Sequence, residues 1–315
     1  MRKALAQLQS QGAIEAKHRL GRRIVNIAAA APRNPGGSIG LITPEPLELL
    51  RPHTALWIDE LRVLLFENHL QLTTFSGRRF FTKRPDKMLA GLVRQNPQAC
   101  WVLTHSHQAM QRWFRHQGVP CVVAGSCHPR QPLPNIDLDF FSVCRHAAGS
   151  MLRLGHRRIG FLTQQSERAG DLESEAGFAD GLQCSGHPDV RPTIAHHDGT
   201  VPGALRRLEA MLSRPARPTA ILVAKPHFYL TTVAYLAQHG LRVPQDVSLI
   251  CRDSDTFLRY LTPSVASYSF SSKLYARRLF SLTLALTRQE TLANPVQRIE
   301  SKFNRGASLA PVNLG

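Results

Sequence analysis

The chain has 315 residues, of which 43% are hydrophobic and 19% charged, the balance of an ordinary folded protein large enough for two domains or subdomains. It has no apolar run near the roughly 18 residues of a membrane helix, and its basic N-terminus lacks the apolar segment and cleavage site of a secretory signal, so the expectation is a cytoplasmic protein with no membrane partner. The net charge of +17, from 39 basic against 22 acidic residues, favours a polyanionic partner such as nucleic acid. Arg supplies 32 of those basic residues and is spread along the chain, a bias that genome base composition alone can also produce. The local charge is sharper: residues 1–27 carry Arg2, Lys3, Lys17, Arg19, Arg22 and Arg23 against one acid, Glu15.

The first segment spaces Ala4, Leu5 and Leu8 as a helix does, and Gly12 suits its left-handed stop. Residues 13–18 and 22–27 read as short strands turning at Arg19-Leu20-Gly21. Residues 28–37, AAAAPRNPGG, read as a linker. From Ser38 the pattern alternates. Strands are expected at 39–43, 71–75, 101–104, 121–124, 158–163, 220–224, 247–251, 265–268 and 296–303. Helices are expected at 56–69, 86–95, 109–117, 143–154, 174–184, 203–213, 229–238 and 274–287. Apolar strands bounded by helices predict parallel sheets covered on both faces. Two such runs predict an α/β protein of two Rossmann-like lobes, with a ligand cleft at the carboxyl ends of the strands.

Two segments carry a family resemblance. Residues 155–162, GHRRIGFL, after the helix RHAAGSMLRL, resemble the LGHRRIAFL signature of the LacI/GalR repressor family. PTAILVA (218–224), HGLRVPQDVSLI (239–250) and CRDSD are similar to that family's later block, where GLRVPEDVSVVGFDD is usual. Leu261-Thr-Pro-Ser-Val and the tail from Lys302 also match. The resemblance spans about residues 38–312. It implies two lobes of the periplasmic-binding-protein-like type joined by three crossovers, a sugar-type effector in the cleft, a homodimer, and operator DNA binding controlled by lobe closure. The expected division places the first lobe at about 38–163 and 271–289, and the second at about 164–270 and 290–312. The segment ALAQLQSQGAIEAKHRLGRRIV is similar instead to the end of a GntR-type winged helix. Residues 1–27 are therefore expected to be the remnant of a partial winged helix, with its early helices missing and only weak, unselective DNA affinity.

The resemblance also names site candidates. An Arg usually stands three residues before a Gly-Phe pair and holds the sugar; here the pair is Gly177-Phe178 and that position is Ser174. The usual Asn-Asp after the AILVA strand is Lys225-Pro226, and the usual GFDD is Cys251-Arg252-Asp253-Ser254. Asp253 is the candidate acceptor for effector hydroxyls, against a loop-capping role. Lys225 either faces an anionic effector or is solvated. Asp139 either contacts the effector or caps a turn. Phe270 either stacks on a sugar face or packs in the core, and Trp57 is a weaker version of the same idea. Arg2, Lys3, Arg19, Arg22 and Arg23 are the DNA-contact candidates.

Catalytic and cofactor readings find no support. No G-x-S-x-G, P-loop or G-x-G-x-x-G motif is present, and an enzyme is not expected. His196-His197-Asp198 and the pair His105 and His107 lack partners at metal-ligand spacing and read as surface loops. The six cysteines form no C-x-x-C and read as reduced and structural. The rival from another class is a periplasmic solute-binding protein of the same fold, which the basic hairpin argues against.

Overall fold

The computed structural model describes residues 14–17, 21–24, 37–184, 186 and 189–312. Arg2, Lys3, Arg19, the helix expected at 2–11 and nearly all of the linker lie outside the described residues. The expected hairpin is β1 (Ile14–Lys17) against β2 (Gly21–Ile24), antiparallel with Ile14 opposite Ile24. Arg22 and Arg23 lie on β2.

The first lobe is built on β3 (Ser38–Thr43), β4 (Gln71–Ser76), β5 (Cys100–Thr104), β6 (Cys121–Ala124), β7 (Asn135–Leu138) and β13 (Val296–Ile299). These form one fully parallel sheet in the order β13-β7-β6-β5-β3-β4. All five residues of β5, CWVLT, are buried, because helices cover both faces. Ile39, Leu41, Val102 and Val122 face α1 (Pro52–Glu67) and α8 (Ser272–Thr287), meeting Leu61, Leu65, Ala276 and Leu279. Ile42, Trp101, Leu103 and Val123 face the other way, toward Leu89 of α2 (Asp86–Gln95) and Phe114 of α3 (Gln108–His116). The two-residue strand period thus sorts one apolar run into two cores.

The second lobe holds β8 (Arg158–Gln164), β9 (Arg191–His197), β10 (Ala220–Val223), β11 (Ser248–Cys251), β12 (Ala266–Ser269) and β14 (Lys302–Asn304). Their order is β14-β12-β11-β10-β8-β9, parallel except for β14, which pairs antiparallel to β12 at the edge. One face is covered by α4 (Phe140–Arg153) and α5 (Ala169–Gln183), the other by α6 (Val201–Leu212) and α7 (Pro226–Gln238).

The chain passes between the lobes three times: from β7 to α4, from β12 to α8, and from β13 to β14. The lobe boundaries therefore differ from those expected. Residues 140–163 belong to the second lobe, since α4 and β8 pack in its core, and β13 belongs to the first. The single strand expected at 296–303 is two strands in two sheets, separated by Glu300 and Ser301. β7 and β9 were not expected from the sequence at all.

The GHRRI segment is structural. Gly155 ends α4 with φ +87°, and buried His156 joins Thr219 Oγ1 through Nδ1 at 2.9 Å and the Ala310 carbonyl through Nε2 at 3.0 Å. The Gly-Phe pair is structural as well. A Cβ on Gly177 would stand 2.1 Å from the Phe141 carbonyl oxygen, and one on Gly181 2.6 Å from that of Arg145. One turn apart on α5, these glycines let its backbone lie directly against α4. All six cysteines are free; Cys184 is exposed and Cys127 half-buried, while the other four are buried. Among the described residues no helix is long and apolar enough to cross a membrane.

Candidate functional site

A polar cavity of about 140 Å³ lies between the lobes, some ten times what a single water requires. His105, Gly125, Lys225 and Arg252 line it, each one or two residues beyond the carboxyl end of β5, β6, β10 or β11. This is where open α/β sheets place ligands. The N-terminus of α5 contributes Arg168, Ala169, Gly170 and Asp171. Trp57, Phe140, Phe270 and Tyr275 form apolar wall.

The centre of the cavity is a charge cluster. Arg252 has a fully buried side chain, yet it sits directly after a core strand. Its Nε donates to Asp253 Oδ1 at 3.0 Å, and its Nη1 donates to Ser174 Oγ at 2.7 Å and Asp171 Oδ1 at 3.2 Å. The guanidinium rests 4.3 Å from the centre of the Phe140 ring. Its Nη2 is buried with no hydrogen-bond partner. Arg51, from the first lobe, donates from Nη1 to Asp253 Oδ2 at 2.9 Å. Lys225 Nζ stands 3.6 Å from Asp253 Oδ2 and 4.0 Å from Asp171 Oδ1.

Burial alone would raise both carboxyl pKa values, but the cations outweigh it. Lys225 and Arg252 hold Asp171 down at about 2, and Arg252, Lys225 and Arg51 hold Asp253 well below the usual carboxylate range. Burial lowers Lys225 to about 8, with the Arg252 charge acting in the same direction against both acids. His105 is lowered to about 3 by burial, reinforced by Arg168, Lys225 and Arg51, so its imidazole is neutral.

A second polar group bridges the lobes beside this cluster. Glu173 on α5 accepts from Arg298 Nη2 of β13 at 2.9 Å and from Ser126 Oγ at 2.8 Å. Ser126 Oγ also lies 2.9 Å from Asp137 Oδ2. Burial pushes Asp137 up to about 6, against hydrogen bonds from the Leu138 amide and Ser126.

The sequence candidates divide. Asp253, Lys225 and Phe270 line the cavity together, as does Trp57, which is also part of the core. Both oxygens of Asp253 receive arginine N–H groups of its own chain, which leaves part of its acceptor capacity for effector hydroxyls. Lys225 is not solvated: its side chain is 19% exposed and faces two carboxylates. Phe270 meets His53 edge-on at 4.2 Å and packs against the first core. Asp139 does not line the cavity. It caps α4, accepting the Ser142 amide at 2.9 Å and the Ser142 hydroxyl at 2.7 Å. His196 and His197 lie on β9 rather than in a loop; His196 pairs with Glu175 and His197 is buried. No group of three or more metal-type ligands occurs among the described residues.

Sequence reasoning missed Arg252, Arg51, Asp171, Arg168 and Asp137. One signal was available: a charged residue at 252, where the resembled family places Phe, in the same chain that lacks the family's Arg at 174. The structure joins the two departures, with the Arg252 guanidinium against the Ser174 hydroxyl.

Comparison with known proteins fits this geometry. The periplasmic binding protein-like domain matches residues 148–309, about half of the chain. The chain belongs to that family. Among curated relatives, the HTH-type transcriptional regulator CelR of Thermobifida fusca is 23% identical over 62% of this chain and 58% of its own length. Catabolite control protein A of Priestia megaterium is 21% identical over 81% of this chain and 76% of its own. The transcriptional repressor PurR of Shigella dysenteriae is 29% identical over 50% of this chain, and the match spans 46% of PurR. Against CelR and PurR the chain thus spans only about half of the relative's length.

Solved structures share the fold of this periplasmic binding protein-like chain over most of its length. A putative LacI regulator from Bacillus cereus subsp. cytotoxis superposes with a TM-score of 0.78 at 17% identity, over 88% of this chain and all of that one. A CelR–cellobiose complex gives 0.74 at 21% identity over 90% of this chain and 88% of that one. A LacI-family regulator of Enterococcus faecium with bound ribose gives 0.71 at 17% identity, over 88% of this chain and 100% of that one. The fold is therefore the one these solved regulators share.

Proposed function

We propose that this chain is a DNA-binding transcriptional regulator whose two-lobed domain binds a small polar effector, a sugar or sugar derivative, and couples that binding to operator DNA. The observation that carries this reading is the polar cavity closed by residues of both lobes at the carboxyl ends of their strands. A ligand there touches both lobes at once, so it favours one inter-lobe arrangement over another. The bound cellobiose and ribose of the two solved relatives support a carbohydrate-like effector. The regulators among the relatives support a regulatory rather than an enzymatic role. Action on DNA places the protein in the cytoplasm.

The hairpin β1–β2, with Arg22 and Arg23 on its second strand, supports a GntR-type wing that contacts phosphates, joined by Arg2, Lys3 and Arg19. A homodimer would present two such heads to two half-sites. Support for one comes from α1, where Leu56, Val63 and Phe66 share a face and are 46%, 54% and 78% exposed.

The test is fluorescence anisotropy with DNA from the chain's own promoter region, with and without a panel of sugars, sugar acids and sugar phosphates. A complex whose affinity shifts tenfold or more with one of these supports the reading. DNA binding indifferent to every ligand that binds the cleft would remove the coupling.

A further inference from the structure

We propose that the cleft takes an anionic polyol, a sugar acid or a sugar phosphate, whose carboxylate or phosphate is held by Arg252, Lys225, Arg168 and Arg51. The inference rests on the reading of the cleft as an effector site and narrows its ligand to one chemical class.

The cavity lining carries four cations, Arg51, Arg168, Lys225 and Arg252, against three carboxylates, Asp137, Asp171 and Asp253. Asp137 stands apart from the cations and bonds to Ser126 and the Leu138 amide instead. Around the cluster itself, four positive charges therefore share two negative ones. The Arg168 guanidinium has no ion pair among the described residues. Enclosing an excess of like charge between two lobes is costly unless a counter-charge arrives with the ligand.

A neutral sugar needs carboxylate and amide acceptors for its hydroxyl protons. The carboxylate best placed to supply them, Asp253, already spends one acceptor site of each oxygen on Arg252 and Arg51. What the cluster leaves over is donor capacity: the Lys225 ammonium and the Arg168 fork at the cavity wall, and the unpartnered Nη2 of Arg252, itself buried. Burial and the Arg252 charge both work against the Lys225 ammonium, which an incoming anion would relieve. The first residues of α5, Ala169 and Gly170, line the same space and add the positive end of a fifteen-residue helix.

The polyol part follows from the other side of the cavity. Thr104, Ser106, Ser126 and Asp137 line it, and although Thr104 donates to the Ile42 carbonyl, Ser106 accepts from Gln111 and Ser126 donates to Glu173, their oxygens keep acceptor sites for sugar hydroxyls. An anionic group at the Arg252 end and hydroxyls at the Ser126 end would match both halves.

Isothermal titration calorimetry on the full chain tests this with matched sets: glucose, galactose and ribose, the corresponding sugar acids, their phosphate esters, and inorganic phosphate alone. At least one acid or ester should bind ten- to hundredfold tighter than its neutral parent at 50 mM salt, and lose most of that margin at 300 mM. Whether acid or ester is preferred identifies the anion. Arg168→Gln, which breaks no ion pair, should weaken the anionic ligand at least fivefold without lowering the melting temperature of the free protein. Arg252→Met should abolish binding, with melting curves reporting whether the fold survives. A neutral sugar binding as tightly as its acid and ester overturns the anion while leaving the effector reading intact. Inorganic phosphate binding as tightly as any sugar overturns the polyol part. Failure of the whole panel to bind overturns both this inference and the effector reading.

Discussion

Arg51 and Asp253 lie 202 residues apart in sequence and 2.9 Å apart in space, one from each lobe. Together with the Arg298–Glu173 pair at 2.9 Å, they hold the lobes in contact using the chain's own side chains. Closure is thus partly internal, and a ligand needs to supply only the remainder.

Replacing Arg51 with Met should loosen this contact. Asp253 keeps Arg252 and Lys225, so the cost should be one charged hydrogen bond, about 1–2 kcal/mol in urea denaturation. Small-angle scattering should report a larger radius of gyration for the variant without ligand. Unchanged stability together with an unchanged radius would show that the pair carries no closing force.

Asp137 sets a pH dependence of opposite sign to that of Asp171. Ser126 has one hydroxyl proton for two carboxylates, Glu173 and Asp137, so the contact with Asp137 is best satisfied when that carboxyl is protonated. The Asp137 pKa is raised from 3.8 to about 6, so its contribution to stability is fully present below pH 3.8 and is lost as pH rises through 6. Asp171 is lowered to about 2, so its contribution is present above pH 3.8 and lost as pH falls through 2. Asp137→Asn keeps an acceptor for the Leu138 amide. It should stabilise the protein at pH 7.5 by up to about 3 kcal/mol and match the parent chain near pH 4. A variant less stable than the parent at pH 7.5 would refute the assignment.

Two glycine substitutions should act in opposite directions. Gly177→Ala drives a Cβ into the Phe141 carbonyl and should cost more than about 2 kcal/mol despite the better helix propensity of Ala. Gly91→Ala, on α2, meets nothing within 4 Å and should stabilise by up to about 1 kcal/mol. Chemical denaturation of both variants checks the pair.

The exposed face of α1 gives a prediction about assembly. Phe66→Glu combined with Val63→Glu should yield a folded monomer by light scattering at micromolar concentration, with the parent chain dimeric. A double variant that stays dimeric would move the interface off α1.

Legibility in the sequence followed the range of the forces involved. Strand and helix periods are local, so the alternation from Ser38 onward and most helices could be read directly. Which sheet a strand joins is not local: β8 and β13 look like their neighbours, and only pairing with distant strands assigns them. β9 was hidden because its residues, RPTIAHH, lack a clean apolar run and sit at a sheet edge. In the site, Asp253 and Lys225 could be found through family position, whereas Arg51 could not. Its role exists only through a residue 202 positions away. Arg252 was in plain view beside Asp253, but its meaning depends on Ser174 and Asp171, which lie 78 and 81 residues from it.

The three passages between the lobes bear on how this molecule is made. On the ribosome, residues 38–138 emerge with five of the first sheet's six strands, yet the sixth strand, β13, and the covering helix α8 arrive only after residue 271. The second sheet likewise waits for β14 at residues 302–304, and for the buried Ser308, whose hydroxyl donates to the Leu249 carbonyl. Neither lobe can be completed before nearly the whole chain has been translated. Nascent chains therefore carry open strand edges and bare core faces until late in synthesis, when contacts between chains compete with folding.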